Sequence, residues 1–157
     1  MKKSNNITFQ FISEPSDVNY GGKVHGGVVM KWIDQTAFAC ACNWSESYSV
    51  TVYVGGIRFY KPISIGSLVK INAKVVHTGN TSMHIIVDVY SKLINDKKYE
   101  KKTHCVVVFV ALDDNGNPTP VEKWQATTKQ EIENEKYVIK LKELRAKIDD
   151  EMKIYTN

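Results

Sequence analysis

The stretch from Gly26 to Ser45 constrains this chain more than any other. Val28, Val29, Met30, Trp32, Ile33, Ala37, Phe38, Ala39, Cys40 and Ala41 cover almost every direction around a helix axis. A helix that is apolar nearly all round predicts burial, so something else in the fold has to wrap it. The wrapping follows at once. Residues 49–60, 67–78, 82–94 and 99–113 are rich in Val, Ile, Tyr and Thr and read as strands. Lys61-Pro62 with Gly66, then Gly79-Asn80, then Asn95-Asp96 separate them with turn residues. A further alternating segment at residues 7–13 precedes the helix, with a loop rich in Pro, Gly, Asn and Asp at 14–25 between them. Residues 105–112 are apolar without alternation, which predicts burial on both faces of a sheet. Asp114-Asn115-Gly116-Asn117-Pro118 then reads as a closing turn.

Strands that succeed one another through short connections make an antiparallel sheet, and its concave face needs a cover. The apolar helix is the available filler. The predicted class is therefore α+β, an antiparallel five-stranded sheet wrapped around a long central helix, the plan of the hotdog fold. A second helix is expected from about Lys129 to Tyr155, with Tyr137, Leu141, Leu144, Ile148 and Met152 as one apolar stripe among Lys and Glu. It is read as packing on its own domain or on a neighbouring subunit. Residues 1–125 are expected to form the domain proper and 126–157 a C-terminal helical extension.

Composition removes several function classes. With 157 residues, 43% apolar and 24% charged, the chain suits one soluble domain. No apolar run approaches the roughly 20 residues of a membrane helix. Lys2 and Lys3 precede no apolar core of a signal peptide, which predicts a cytoplasmic protein. The net charge of +4 is too small and scattered for nucleic acid, though it suits a polyanionic small ligand. Three cysteines close no disulfide framework, and neither they nor His25, His77, His84 and His104 show metal-ligand spacing. A serine-hydrolase elbow and a dinucleotide-binding glycine fingerprint are also missing.

The chemistry concentrates where the loop enters the first helix. Gly26 and Gly27 lie at its start, and the unpaired amides of a helix N-terminus suit a developing negative charge on a ligand oxygen. Asp34 lies two turns further on, and an ionised acid in an apolar helix is costly unless something uses it. An electrophilic cradle followed by a carboxylate is a hydrolase layout.

The run Pro15-x-Asp17-x-Asn19-x-x-Gly22-x-x-x-Gly26-Gly27-x-x-Met30-x-x-x-Asp34 resembles the hotdog acyl-CoA thioesterases of the YciA and brain acyl-CoA hydrolase type. Val50-Thr51-Val52, Ile57-x-Phe59-x-Lys61-Pro62-Ile63-x-x-Gly66, Thr78-Gly79-Asn80-Thr81-Ser82-Met83 and Phe109-Val110-Ala111-Leu112-Asp113 continue it in order, as far as about residue 121. The resemblance implies hydrolysis of an acyl-CoA thioester to a free acid and coenzyme A, with no metal or organic cofactor. It implies that Asp34 activates water or attacks the carbonyl itself, two roles that stay open. Asn19 would orient the water or thioester from across a dimer interface. Gly27, with Gly26, would polarise the carbonyl through backbone amides. Thr51, Val52, Tyr53, Asn80, Thr81 and Ser82 would contact coenzyme A, with Arg58 and Lys61 near its phosphates. It further implies a homo-oligomer, a dimer with interface sites assembled as three dimers in a hexamer. His25 could donate to the thioester or simply pack the loop.

Two alternatives compete. A hotdog hydratase or dehydratase needs an Asp and a His about five residues apart, and no Asp-x-x-x-x-His pair occurs. A non-catalytic acyl-CoA-binding protein remains open, although no helix-turn-helix marks the tail as a transcriptional sensor.

Overall fold

A computed structural model describes residues 3–157. The chain runs β1 (Asn6–Ile12), α1 (Gly26–Ser45), β2 (Ser49–Val54), β3 (Arg58–Phe59), β4 (Leu68–Thr78), β5 (Ser82–Lys92), β6 (Glu100–Ala111) and α2 (Lys129–Thr156). All pairings are antiparallel, in the order β1-β4-β5-β6-β2, with β3 also on β6.

The sheet holds six strands rather than five, because the segment at 49–60 is broken. Its two pieces, β2 and β3, lie end to end along β6 with Gly55-Gly56-Ile57 between them. A Cβ on Gly55 would meet the Val106 carbonyl oxygen at 3.0 Å, while its own N–H donates to that oxygen at 2.8 Å. Only glycine allows the backbone so close. β2 also carries an irregularity at Val52: Thr51 pairs with Phe109, but Tyr53 pairs with the next residue, Val108. One inserted residue reverses the face to which later side chains point.

The two faces of the sheet have separate cores. On the concave side Val69, Ile71, Ala73 and Val75, then Met83, Ile85, Val87 and Val89, then Val107 and Phe109 pack against α1. On the outer side Val76, Ile86 and Val106 pack against Val138 of α2, with Leu141 beside them. Val106, Val107, Val108 and Phe109 are all buried, which bears out the reading of the last strand as covered on both faces.

α1 itself departs from expectation. Val29, Ile33, Thr36, Ala37, Cys40, Ala41 and Trp44 form its buried stripe, whereas Met30, Asp34 and Phe38 are exposed. A sheet curled from one side covers only the stripe it touches, so the helix keeps an apolar face uncovered in the single chain. Its far end is closed by the segment after β6. Trp44 Nε1 donates to the Glu122 carbonyl at 3.0 Å, and its ring meets Trp124 edge-on at 5.8 Å.

α2 opens with a reciprocal cap. Thr128 Oγ1 accepts from the Glu131 N–H at 3.2 Å, and Glu131 Oε2 accepts from the Thr128 N–H at 3.1 Å. Two histidines of the sheet then hold it: His77 Nδ1 lies 2.9 Å from Glu135 Oε2, and His104 Nε2 lies 2.8 Å from Tyr137 Oη. The expected stripe is displaced, since Val138 is the buried anchor while Leu144, Ile148 and Met152 stay about half-exposed. No described helix is long and apolar enough to cross a membrane.

Candidate active site

The start of α1 stands between two clefts. His25 is the N-cap, with extended backbone, and its Nδ1 accepts from the Gly27 N–H at 3.3 Å. Its carbonyl takes the N–H groups of Val28 and Val29 at 2.9 and 3.1 Å. The Gly26 N–H has no acceptor among the described residues. The sequence offered both glycine amides as donors. The structure leaves Gly26 available and shows Gly27 held by the ring of the preceding histidine. His25 therefore caps the helix, a role that its position directly before the apolar run could have disclosed.

On one side of the helix start, a cleft of about 300 Å³ is lined by Gly27, Met30, Asp34, Val54 and Val107 among others. Asp34 is exposed here, not buried, because it lies on the face of α1 that the sheet leaves uncovered. Thr51 Oγ1 donates to Asp34 Oδ1 at 2.7 Å, which ties the acid to the edge strand. That bond orients the carboxylate and leaves Oδ2 for another partner.

On the other side, a cleft of about 360 Å³ is lined by Asn19, Lys23, Gly26, Phe59, Lys61 and Lys102 with their neighbours. Asn19 Oδ1 accepts from the N–H groups of Gly21 and Lys23 at 2.9 and 3.1 Å, a side-chain turn that shapes the loop. Its Nδ2 makes no hydrogen bond to a described residue. Lys61 and Lys102 both pair with Glu100, so part of the positive charge is already answered. Arg58, on β3 beside this cleft, is exposed.

The expected site residues thus fall into three places. Gly27, Asp34 and Thr51 come together. Asn19 and Gly26 line a different cleft of the same chain. Asn80, Thr81 and Ser82 form the β4–β5 turn, with Ser82 paired to Val110 and Val110 to Val50, two strands across from the start of β2. Val52 is exposed on the edge. Tyr53 is carried by the β2 irregularity to the outer face, where the Arg145 guanidinium lies 4.5 Å over its ring. Its side chain therefore parts company with Thr51 and Asp34.

The thiols take no part. Burial pushes Cys40 and Cys105 up to about 12, which leaves them protonated and inert at neutral pH.

Comparison with known proteins fixes the family. The thioesterase superfamily profile matches residues 21–94, from the loop before α1 to just past the end of β5. An uncharacterized acyl-CoA thioester hydrolase of Buchnera aphidicola is 32% identical, over 71% of this chain and 85% of the relative. The chain belongs to the thioesterase superfamily. Protein VdlD of Helicobacter pylori is 29% identical over 90% of this thioesterase and 80% of its own length. The crystal structure of an apo-hexameric acyl-CoA thioesterase superposes with a TM-score of 0.87 at 28% identity, covering 92% of each chain.

Proposed function

We propose that this thioesterase hydrolyses an acyl-CoA thioester to the free carboxylic acid and coenzyme A. The observation that carries the reading is Asp34, tied to Thr51 at 2.7 Å and lining one cleft with Gly27. In the proposed chemistry the thioester carbonyl lies against the N–H of Gly26 in the Asn19 cleft of one protomer, and that of Gly27 once His25 gives it up, while its partner supplies the acid. Donors aimed at a developing oxyanion contribute roughly 2.7–4 kcal/mol each. Asp34 Oδ2 then either takes a proton from a water that attacks the carbonyl carbon, or attacks that carbon itself. The C–S bond breaks and coenzyme A leaves as the thiol, its proton coming from water; in the second route water then hydrolyses the acyl–Asp34 anhydride to release the acid and restore the carboxylate. Asp34 and the amides carry this without metal or organic cofactor, coenzyme A being part of substrate and product.

The site is completed by a second copy. Asn19 and Asp34 line separate clefts in one chain, so a site using both draws them from two protomers. Val52 and Val54 at the open β2 edge, with Met30 and Phe38 on α1, leave an apolar surface that a partner's matching edge would cover. We assign three such dimers to a hexamer, the state named for the superposed acyl-CoA thioesterase. Lys23, Lys61 and Lys102 would meet the coenzyme's phosphates, with Asn80, Thr81 and Ser82 contacting its pantetheine or nucleotide. A cytoplasmic setting suits the three free cysteines, since reducing compartments keep thiols unpaired.

A free-thiol assay on an acyl-CoA series tests the hydrolase reading, with Asp34→Ala expected to release almost no thiol. Mixing Asn19→Ala with Asp34→Ala protein and allowing exchange should restore part of the rate, because mixed dimers contain one intact site. Ligand binding without thiol release by the wild type would convert the reading to a non-catalytic acyl-CoA-binding protein.

A further inference from the structure

A second cavity, of about 250 Å³, lies between α2 and the outer face of the sheet, on the side opposite α1. Val106 and Val108 of β6 form its floor, and Val138, Leu141 and Leu144 of α2 its roof. Into this apolar space project His84, Lys142 and Arg145, and no carboxylate lines it.

Each of these three groups is poorly answered by the protein itself. His84 is only 3% exposed, yet it makes no hydrogen bond to any described residue. The ring of His77 lies edge-on to it at 5.1 Å and is engaged with Glu135. Burial first, then the charges of His77, Arg145 and Lys142, lower its pKa to about 4, so it stays neutral at pH 7. A bound acceptor would give its ring N–H the hydrogen bond that the described residues do not. The Arg145 guanidinium lies 4.5 Å over the Tyr53 ring and has no carboxylate partner among the described residues. Lys142 is likewise in no ion pair among the described residues.

We propose that this cavity is a binding site for a small amphipathic carboxylate, its tail between β6 and α2 and its carboxylate at Arg145, Lys142 and His84. The planar fork of Arg145 matches the two oxygens of a carboxylate. The volume exceeds the roughly 150 Å³ that holds benzene, and lies below the roughly 300–1,000 Å³ of drug-sized pockets. The site is separate from the Gly27–Asp34 cleft and does not require that cleft to be catalytic.

Octanoate, 1-octanol and inorganic phosphate are the probes, added to the full-length oligomer. Calorimetry measures affinity, and the ring resonances of histidine-labelled protein report on His84. Octanoate should bind and shift the His84 signal, with the alcohol and phosphate at least tenfold weaker. Arg145→Gln should weaken octanoate at least tenfold and Arg145→Lys less. Leu144→Trp should fill the space and abolish the His84 shift. Both positions are at the protein surface, so circular dichroism should show intact folds. The proposal is overturned if octanoate leaves the His84 resonance unmoved, if phosphate alone binds as well, or if saturating coenzyme A displaces the octanoate.

Discussion

The two helices of this molecule invert the usual link between composition and burial. α1 is apolar almost throughout yet leaves Met30, Asp34 and Phe38 exposed. α2 is mostly charged, and from Ala146 onward every residue is exposed, yet it seals a second core through Val138. The sheet between them explains the contrast. Its concave face has room for one helix, and that helix shows its remaining apolar face at the edge where a second copy would sit. Its outer face is shielded by the first half of α2, held there by His77–Glu135 and His104–Tyr137. Surplus apolar surface thus marks the side proposed for assembly, and polar clamps hold the helix on the other.

The largest test of that contrast is Asp34→Ala. It should lower the rate of thiol release by roughly 10²–10⁴-fold, the usual worth of a positioned acid–base group. Because Asp34 is exposed in the protomer, thermal unfolding should move little. The reverse pattern is expected for Phe109→Ala beneath α1. Loss of about 3–5 kcal/mol in chemical denaturation should come with loss of assembly, since Phe109 is fully buried and backs Phe38 at 6.4 Å.

On the outer side, Val138→Ala should cost about 1.5–3 kcal/mol by denaturation. If it also erased thiol release per folded molecule, the two sides would not be independent. Thr51→Val sharpens the inner side. Losing the hydrogen bond to Asp34, worth about 0.5–1.5 kcal/mol, should slow turnover by up to about tenfold without changing the fold.

The last effect concerns acid. His84 has a native value of about 4 against an unfolded value near 6.5, lowered by burial and by His77, Arg145 and Lys142. The unfolded chain then binds more protons between those values, so stability should fall as pH drops from about 6.5 to about 4 and level off below. Burial opposes the charge of Asp88, but hydrogen bonds from His104 and Lys101 outweigh it and hold its pKa low. Its contribution should be lost at still lower pH, below about 3.9. His84→Gln should flatten only the upper part of the melting-temperature profile.

Much of this was readable in the chain. The bounds of α1 and the start of α2 coincide with the periodic segments, the latter because Thr128-x-x-Glu131 is a capping box. The strand ends follow the turn residues to within a residue or two. The break in the long second segment was written as Gly55-Gly56, but glycines inside a strand do not say whether they bend it, bulge it or divide it. Among the site residues, the Asp34–Thr51 pairing is long-range and no local pattern encodes it. His25 as a cap was legible; the destination of Tyr53 was not, because it depends on a register shift at Val52 against β6.

The sequence by itself determined the elements, their order and the position of the acid within a glycine-led helix, since periodicity, turn chemistry and caps act over a few neighbouring residues. Only the tertiary structure decided that Asp34 faces outward to Thr51, that Asn19 lies in another cleft, and that His84 sits unanswered beneath α2. Those outcomes depend on which residues the strand registers bring opposite one another, and a single inserted residue is enough to exchange the two faces.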